Sequence, residues 1–369
     1  MKPVDLAIVG GGPAGLATSI AASRVGLQVA VFDGRKPPID KTCGEGLLPS
    51  ALAALSDLGI AIDSHLGIPF TGIRFTDKKS SAYAPILGGA GLGLRRRDLH
   101  RVLIERAEAC GVSLFWSARI SDMQRDGVWV DGAFHPCSWL VGADGQQSAV
   151  RKFAGLEPRK RASLRFGFRQ HFSTVPWSNA VEVHWGQRVE LIVTPTGREE
   201  ICIVVLTSDP HVRVEEAIDQ FPEIAERLRG AAVVSRESGA STHLCRARAV
   251  VRGNVALVGD ASCAMDGISG SGLSLAFQEA LALADALACE DLAVYERTHA
   301  RITKVPVRVT RLLLMMGSSA FLRRAALGFL ARNPALFSRL IALHVGRAIS
   351  GNRRLQVGRF GVCYTESKL

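Results

Sequence analysis

The chain of 369 residues is long enough to bury a large core, and its length is typical of two domains. Hydrophobic residues make up 47% of it, and its eight cysteines form no C-x-x-C pair, which argues against a zinc site or a disulfide framework. The net charge of +11 indicates an anionic partner or surface, but no nucleic-acid-binding motif accompanies it, so we expect no nucleic acid. We expect a cytoplasmic protein, because no signal peptide or apolar span of membrane-helix length is visible.

The first predicted element is an apolar strand over residues 4–9, which leads into G-x-G-x-x-G and a helical pattern. Gly10 suits a tight turn, Gly12 lets the backbone approach a pyrophosphate, and Gly15 lets the helix pack on the strand. The next apolar strand ends at Asp33, where its carboxylate is placed to accept a hydrogen bond from a ribose hydroxyl. This order predicts a dinucleotide-binding βαβ unit and leaves NAD and FAD open.

The pattern then predicts a helix over 50–58, short strands with glycine-rich turns over 68–94, and an amphipathic helix from Arg95 to about Cys110. Residues 164–208 change character. Four runs of strand-like alternation predict an antiparallel sheet inserted into the nucleotide domain, a natural place for a substrate; they are Leu164 to Phe172, Val181 to Trp185, Val189 to Val193 and Glu200 to Thr207. A helix over 214–229 and a long helix over 273–288 are also predicted.

The C-terminal region is basic and amphipathic, with no acidic residue between Glu296 and Glu366. Its cations are Arg297, Arg301, Lys304, Arg308, Arg311, Arg323, Arg324, Arg332, Arg339, Arg347, Arg353, Arg354 and Arg359. Aliphatic residues lie between them. Three interpretations stay open: a membrane-surface element, with peripheral membrane contact through 301–359; an element that covers an apolar channel; or a plain helical cap whose arginines face water.

Two further motifs place an acid at the end of a predicted strand, where ligands of α/β sheets bind. Asp144 lies in Gly-Ala-Asp-Gly, and Asp260 lies in Gly-Asp-Ala-Ser, which continues to a glycine-rich turn at 266–272. With the glycines that begin at Gly10, these motifs make the chain resemble the FAD-dependent oxidoreductases with the fold of para-hydroxybenzoate hydroxylase, over roughly residues 4–300.

The resemblance implies an α/β fold: a Rossmann-type FAD-binding domain, an inserted antiparallel β-sheet substrate domain and a helical C-terminal tail. We expect residues 1–75, 76–160 and 251–300 to form the FAD-binding domain, with the short strands of 68–94 at its edge. Residues 161–250 would then be the substrate-binding sheet, and 301–369 the basic helical C-terminal region.

The resemblance also implies FAD as cofactor and NAD(P)H as reductant. Asp33 is implied to hold the adenosine ribose, Arg96 to touch FAD, and the glycine-rich turn to meet the N1/O2 edge of the isoalloxazine. The full implied set is Gly10, Gly12, Pro13, Ala14, Gly15, Asp33, Gly34, Arg35, Cys43, Gly44, Arg96, Asp144, Gly145, Gly259, Asp260, Gly270, Ser271, Gly272 and Leu273.

Within that fold the chain is more similar to the geranylgeranyl reductase-like subgroup. Lys-Thr-Cys-Gly-Glu-Gly at 41–46 and the G-D-A-S-x-x-x-D-x-x-x-G-x-G form carry the likeness, and Cys263 replaces the histidine typical of single-component hydroxylases. Cys43 and Glu45 are therefore the candidate catalytic residues. Cys43 would tune the flavin or donate a proton, and Glu45 would be an acid or a polar contact, although a small buried cysteine in a glycine turn is the plainer interpretation. No metal is expected.

Three functions stay open. The first is an NAD(P)H-dependent monooxygenase that hydroxylates an apolar aromatic or lipid-like substrate, of polyketide or isoprenoid type, through a flavin C4a-hydroperoxide in a dry pocket. The second is a flavin-dependent reductase of polyprenyl C=C bonds with Cys43 as acid. The third is a flavoprotein of secondary metabolism that depends on a carrier or partner.

Overall fold

The computed structural model describes residues 3–63, 65–158 and 164–346. Its strands are β1 (Val4–Val9), β2 (Val29–Asp33), β3 (Gly46–Leu47), β4 (Gly67–Phe70), β5 (Gly72–Thr76), β6 (Ser81–Pro85), β7 (Gly91–Leu94), β8 (Ser113–Trp116), β9 (Ile120–Gln124), β10 (Gly127–Val130), β11 (Ala133–Gly142), β12 (Arg165–Ser173), β13 (Ala180–Trp185), β14 (Val189–Gly197), β15 (Glu200–Thr207), β16 (Ala232–Val233), β17 (Ser238–Thr242), β18 (Cys245–Arg246), β19 (Val251–Arg252) and β20 (Val255–Leu257). Its helices are α1 (Pro13–Arg24), α2 (Pro49–Asp57), α3 (Arg96–Ala109), α4 (Ala149–Phe153), α5 (Val214–Ile218), α6 (Pro222–Arg227), α7 (Asp260–Cys263), α8 (Gly272–Ala288), α9 (Leu292–Ser318), α10 (Ala320–Arg332) and α11 (Pro334–Val345), with a 3₁₀ turn at Gly267–Ser269.

The first sheet has the order β19-β20-β11-β1-β2-β8; in addition, β10 pairs with β11, and β9 pairs with β10. β1 pairs in parallel with β2 and β11, and β20 runs parallel to β11. Because these strands share one direction, their carboxyl ends meet at one edge. That edge brings together the G-x-G-x-x-G turn, Asp33, the Asp144 motif and the Gly259-Asp260 turn. The predicted βαβ unit is therefore present, with α1 packed against α8.

The second sheet has the order β16-β12-β15-β14-β13-β5-β6, with β17 paired to β12. Its four central strands are those predicted over 164–208. Both of its faces are covered, because alternate residues of β14 and β15 enter two different cores. Leu191 and Ile203 pack with helices α5 and α6, whereas Ile192 and Val204 belong to a core that includes Leu313 of α9. One face therefore meets a helical layer, and the other meets the C-terminal helices.

Two details of the predicted second domain were wrong. The hairpin β5–β6, expected at the edge of the FAD-binding domain, lies in the second sheet, where β5 pairs in parallel with β13. Its apolar residues Ile73 and Phe75 pack against that sheet's core, a partner that period-two alternation does not reveal. The single helix expected over 214–229 is two short helices, because Pro222 begins a new helix and cannot continue the first.

The C-terminal region is helical as predicted, as far as Val345. Its first helix, α9, begins at Leu292 and so crosses the expected boundary at residues 300 and 301. Both α10 and α11 pack against β6. Neither α9 nor any other described helix is long and apolar enough to cross a membrane alone; α9 and α10 meet the length and composition only as a pair bent by 118°. The expectations for Arg347, Arg353, Arg354 and Arg359 lie outside the described residues, as does the boundary at residues 160 and 161.

Candidate active site

A continuous cavity of about 980 Å³ runs from the carboxyl edge of the first sheet, past the 3₁₀ turn, to the second sheet and the C-terminal helices. Of the residues implied to bind FAD, all but Gly15 and Ser271 line it; they are Gly10, Gly12, Pro13, Ala14, Asp33, Gly34, Arg35, Cys43, Gly44, Arg96, Asp144, Gly145, Gly259, Asp260, Gly270, Gly272 and Leu273. Ser271 is buried, and its hydroxyl bonds that of Ser269 at 2.9 Å. The motifs thus converge on one cleft.

The three glycines of the first turn have distinct roles in the structure. Gly10 has φ +109°, a conformation that favours glycine. A Cβ on Gly15 would lie 1.8 Å from the carbonyl oxygen of Gly10, so Gly15 serves the packing of α1 on the turn rather than the cleft wall. A Cβ on Gly12 would meet no atom within 4 Å and would project into open space. The backbone at Gly12 is thus open to close approach by a ligand.

His100 holds this turn in place. Its Nε2 donates to the carbonyl oxygen of Gly11 at 2.7 Å, and its Nδ1 accepts from the amide of Ile39 at 3.1 Å. An acceptor nitrogen requires the neutral ring, and burial lowers the pKa of His100 accordingly. His100 therefore has a structural role in this turn. Asp33 is also fixed locally, since its two carboxylate oxygens accept from the amides of Gly11 and Arg35.

The polar groups of the cleft suit a dinucleotide. Arg96 is buried, its Nε has no hydrogen-bond partner, and no described carboxylate forms an ion pair with it. Burial lowers the pKa of this guanidinium, so a bound anion would stabilise its charge. Asp144 accepts from the amides of Ala149 and Val150 through Oδ2, whereas its Oδ1 is buried and unpartnered. The cleft therefore contains a buried cation, Arg96, and a buried acceptor, Asp144 Oδ1, that lack hydrogen-bond partners at these atoms. The phosphates and hydroxyls of FAD would provide those partners.

The Gly259-Asp260 turn depends on a residue that the motifs did not reveal. Gly259 has φ +61°, and its amide donates to Glu279 Oε2 at 2.5 Å. The other oxygen of Glu279, which is fully buried in α8, lies 3.2 Å from Nε2 of His299 in α9. In the sequence, the signal that could have identified Glu279 is a glutamate on the buried face of an Ala-rich helix. Glu279 and His299 therefore connect the FAD cleft to the start of the C-terminal helices.

Cys43 lies on the cavity wall, between the FAD motifs and the second sheet. Its Sγ accepts a weak bond from the amide of Glu45 at 3.4 Å. Burial raises the pKa of the Cys43 thiol, although the charge of Arg96 opposes the change. At neutral pH the side chain is therefore a protonated thiol, which is a proton donor rather than a nucleophile.

Glu45 has a different environment from the one expected of a catalytic acid. It is 3% exposed and has φ +58°, a strained backbone conformation for a residue other than glycine. Its Oε1 accepts from Arg169 Nη1 and from the amide of Arg96, both at 3.0 Å, and its Oε2 lies 2.6 Å from Nε2 of His171. Asp40 binds Arg169 through both carboxylate oxygens, at 2.8 and 2.9 Å. Both oxygens of Glu45 are thus engaged, which favours a positioning role for the loop that carries Cys43.

The two histidines of the second sheet do not line the cavity. His171 belongs to the Glu45 cluster and also contacts the hydroxyl of Ser235 at 2.8 Å, and His184 bonds Glu182 at 3.1 Å. Glu45, His171 and Cys202 lie close enough together to hold a metal ion. However, Arg169 bonds the same carboxylate and would repel a cation, and burial raises the pKa of the Cys202 thiol. The arrangement suits an ion-pair cluster better than a metal site.

Beyond the 3₁₀ turn the cavity wall is almost wholly apolar. It consists of Leu48, Phe70, Ile73, Phe75, Val181, Val183, Ile192, Val204, Leu206, Met265, Ile268, Val305, Val309, Leu312, Leu313, Met316, Leu330, Phe337, Leu340, Ile341 and Leu343, with Thr194 and His344 as polar members. His344 Nε2 donates to the carbonyl oxygen of Ser269 at 2.8 Å, so α11 is tied to the 3₁₀ turn. The wall contributed by α9, α10 and α11 was not predicted residue by residue.

The sequence profile of the family described as FAD binding domain matches residues 3–293. The chain belongs to this family. It is a flavin-dependent oxidoreductase with the para-hydroxybenzoate hydroxylase type of fold, as its motifs predicted. The match covers the three motifs that meet in the cleft, and it supports FAD as the cofactor.

The relatives that this chain resembles in sequence include enzymes of two kinds. The menaquinone reductase of Mycolicibacterium smegmatis is 30% identical over 162 residues, but the match covers only 41% of this chain and 40% of that protein. The 6-methylpretetramide 4-monooxygenase of Streptomyces rimosus is 26% identical, with 93% of this chain and 92% of that protein covered. The 2-heptyl-3-hydroxy-4(1H)-quinolone synthase of Pseudomonas aeruginosa is 28% identical, with 75% and 79% covered.

Solved structures share the whole architecture. The flavin-dependent brominase Bmp2 superimposes with a TM-score of 0.80 at 20% identity, over 93% of this chain and 94% of that one. A geranylgeranyl bacteriochlorophyll reductase-like protein from Thermoplasma acidophilum gives 0.74 at 17% identity, over 95% and 96%. At these identities the likeness concerns the fold, and it covers nearly the whole of each chain.

Proposed function

We propose that the protein is an NAD(P)H-dependent monooxygenase that hydroxylates an apolar aromatic substrate with a long side chain. Substrate, O₂, NAD(P)H and a proton would give hydroxylated substrate, water and NAD(P)⁺. The observation that carries the proposal is the single cavity in which the FAD motifs open directly into an aliphatic chamber. The monooxygenase of S. rimosus, which matches along nearly the whole chain, supports this reaction over the others.

FAD, when bound, supplies the redox chemistry by accepting electrons from reduced nicotinamide and delivering them to oxygen. The protein's own residues would bind FAD and enclose the reacting atoms. Gly12 and Arg96 would hold the pyrophosphate, Asp33 the ribose, and the amides near Gly270 the pyrimidine edge of the ring system, where negative charge develops on reduction. Chamber residues such as Ile192 and Met316 would exclude water from the reacting atoms.

Reduction of an isoprenoid C=C bond is the second candidate, favoured by one observation. The protonated thiol of Cys43 lies on the cavity wall beside the FAD motifs, where an alkene reductase needs a proton donor. The balanced reaction would consume NAD(P)H and a proton and add two hydrogens to the substrate, with no oxygen. The partial match to menaquinone reductase is compatible with a quinone or prenyl substrate.

The deciding experiment supplies the FAD-loaded protein with NADH or NADPH under ¹⁸O₂, together with alkylphenols, alkylquinolones and polyprenyl quinones. Product masses are then compared. Incorporation of one labelled oxygen atom supports the monooxygenase. Two added hydrogens, formed equally well without oxygen, would replace it with the reductase. Absence of nicotinamide oxidation with every free substrate would contradict both and favour the carrier-dependent flavoprotein.

Two cysteine variants help to distinguish the monooxygenase from the reductase. Cys43→Ser keeps the size of the side chain but removes the more acidic thiol, and Cys289→Ser changes an exposed cysteine away from the cavity. A monooxygenase should retain its turnover within about twofold in both variants. A reductase that uses the Cys43 proton should lose on the order of 10²-fold in Cys43→Ser alone, the usual scale of general acid catalysis.

A further inference from the structure

The apolar chamber opens to the protein surface between two C-terminal helices. On α9, α10 and α11, four residues both line the cavity and are well exposed: Val305, Leu312, Leu340 and Leu343, with exposed fractions from 39% to 68%. All four are aliphatic. An opening for a substrate that enters from water would ordinarily have a polar rim, so an aliphatic rim indicates entry from an apolar phase.

The outward face of α9 continues this rim. Exposed residues recur along one side of the helix, at Arg301, Lys304, Val305, Arg308, Arg311, Leu312 and Met315. The opposite side, with Tyr295, Thr303 and Leu313 among others, is buried against the body of the protein. The solvent face of α9 therefore combines large aliphatic side chains with cations, instead of the polar mixture typical of a surface helix.

The outward face of α10 has the same composition with aromatic residues added. Phe321 is 79% exposed and Phe329 54% exposed, and Arg324 and Arg332 lie beside them on the same turns. The helix turns its Leu327 inward, where that side chain is fully buried. Exposed phenylalanines of this kind are costly in water and mark an interaction surface.

The cations of this surface lack anionic partners in the part of the chain that the structure describes. Seven of them are exposed and form no ion pair with any described carboxylate: Arg301, Lys304, Arg308, Arg311, Arg324, Arg332 and Arg339. Their sequence neighbours offer none, since no acidic residue occurs between Glu296 and Glu366. A surface of exposed aliphatic and aromatic residues flanked by unpaired cations has the composition of helices that lie in the interface of an anionic bilayer.

We propose that α9, α10 and α11 dock on the surface of an anionic lipid bilayer, so that the rim at Leu312 and Leu343 opens toward the acyl chains. The docking is peripheral and requires no membrane-spanning helix. It deepens the proposed function by making the substrate class membrane-dissolved, long-chain aromatic compounds. The large exposed apolar side chains favour lipid over the other anionic candidate, an acidic carrier protein.

The test is sedimentation of the FAD-loaded full chain with phosphatidylcholine vesicles, with and without 30% phosphatidylglycerol. We expect binding to the anionic vesicles that weakens as salt is raised. Phe321→Ser/Phe329→Ser and Arg324→Glu/Arg332→Glu should each lower the partition coefficient at least about tenfold, because each buried aromatic and each cation contributes to binding. None of these four residues lines the cavity.

Arg125→Glu/Arg248→Glu, which changes two exposed arginines elsewhere by the same charge, is the matched control and should bind like the wild type. Equal binding by all variants, or no binding to either kind of vesicle, would overturn the proposal. Sedimentation needs no turnover, so the docking proposal is tested separately from the proposed reaction. Where turnover is found, the α10 variants should lose activity on bilayer-dissolved substrate while activity on a short, soluble analogue stays unchanged. Loss of both activities would contradict docking.

Discussion

Glu45 lies at the centre of a run of buried charges that joins the Cys43 loop to strand β12. Arg169 is 2% exposed and contacts Asp40 and Glu45, and His171 closes the run on the other oxygen of Glu45. Removing one member of a buried ion pair leaves the remaining charge without compensation, which costs far more than an exposed pair is worth. The loop's conformation therefore depends on this carboxylate.

Glu45→Gln should lower the free energy of unfolding of the FAD-loaded protein by about 3 kcal/mol, since the amide leaves Arg169 partly unpaired. Urea denaturation followed by circular dichroism would measure the loss. Glu226→Gln, in an exposed pair with Arg229, is the control and should change stability by less than about 0.5 kcal/mol. Equal small losses in both variants would show that the buried cluster is not needed to hold the loop.

His100 makes stability depend on pH in a defined direction. Burial lowers its pKa from the ordinary 6.5, so the folded protein keeps the ring neutral while the unfolded chain takes up a proton. The contribution is fully present above about pH 6.5 and is lost as pH falls toward the lower folded pKa. His135, His243 and His344 have pKa values shifted in the same direction and add to the effect.

We therefore expect the free energy of unfolding to fall as the pH drops below 6.5, and to fall less steeply in His100→Gln, which has no titrating group at this position. Denaturant titrations at several pH values between 5 and 8 would measure the slopes. His211→Gln, at an exposed position, should keep the wild-type slope. A steeper slope in His100→Gln would mean that the charged ring is favoured by the fold.

At the scale of elements, two glycines of the β1–α1 turn have different functions: Gly15 allows helix packing, and Gly12 allows a ligand to approach. Gly15→Ala places a methyl group against the carbonyl of Gly10, so α1 must move, and we expect loss of both stability and FAD binding. Gly12→Ala meets no protein atom, so the FAD-free fold should keep its melting temperature within about 2 °C, while FAD affinity falls at least tenfold. Flavin fluorescence titration and thermal unfolding give the two readouts. Unchanged affinity in Gly12→Ala would place the pyrophosphate elsewhere.

The same elements explain what the sequence could and could not predict. Each FAD motif lies at the end of its own strand, so a local pattern was enough to place Gly10, Asp144 and Asp260 at one edge. The ion pair of Asp40 with Arg169 joins residues 129 positions apart, and alternation along β12 does not say which element its arginine will meet. Similarly, the amphipathic pattern of the C-terminal region predicted helices, with cover of an apolar channel as one interpretation, but not which residues of α9 would line the chamber.

At the scale of the whole molecule, three segments distant in sequence enclose one chamber. The 3₁₀ turn closes its flavin end, the second sheet forms one wall, and the C-terminal helices form the other. His344 ties α11 to the turn through the carbonyl of Ser269, and the contact of Glu279 with His299 ties α9 to the cleft. The shape of the chamber is therefore set by the junction of these parts, and under the proposed function it should act as a slot for an apolar chain.

We expect kcat/KM for a series of alkyl aromatics to rise about threefold to fourfold with each added methylene, because each contributes about 0.8 kcal/mol on burial, until the slot is full. Val181, a partly exposed residue of β13 on the cavity wall, provides the test of where that limit lies. Val181→Phe adds bulk toward the open space, so the rise should stop at a shorter chain while the slope for shorter members stays the same. Val175→Phe, at a position 66% exposed and away from the cavity, should keep the wild-type limit. A series with no dependence on chain length would mean that the chamber does not hold the side chain, and that the aliphatic wall serves only to exclude water.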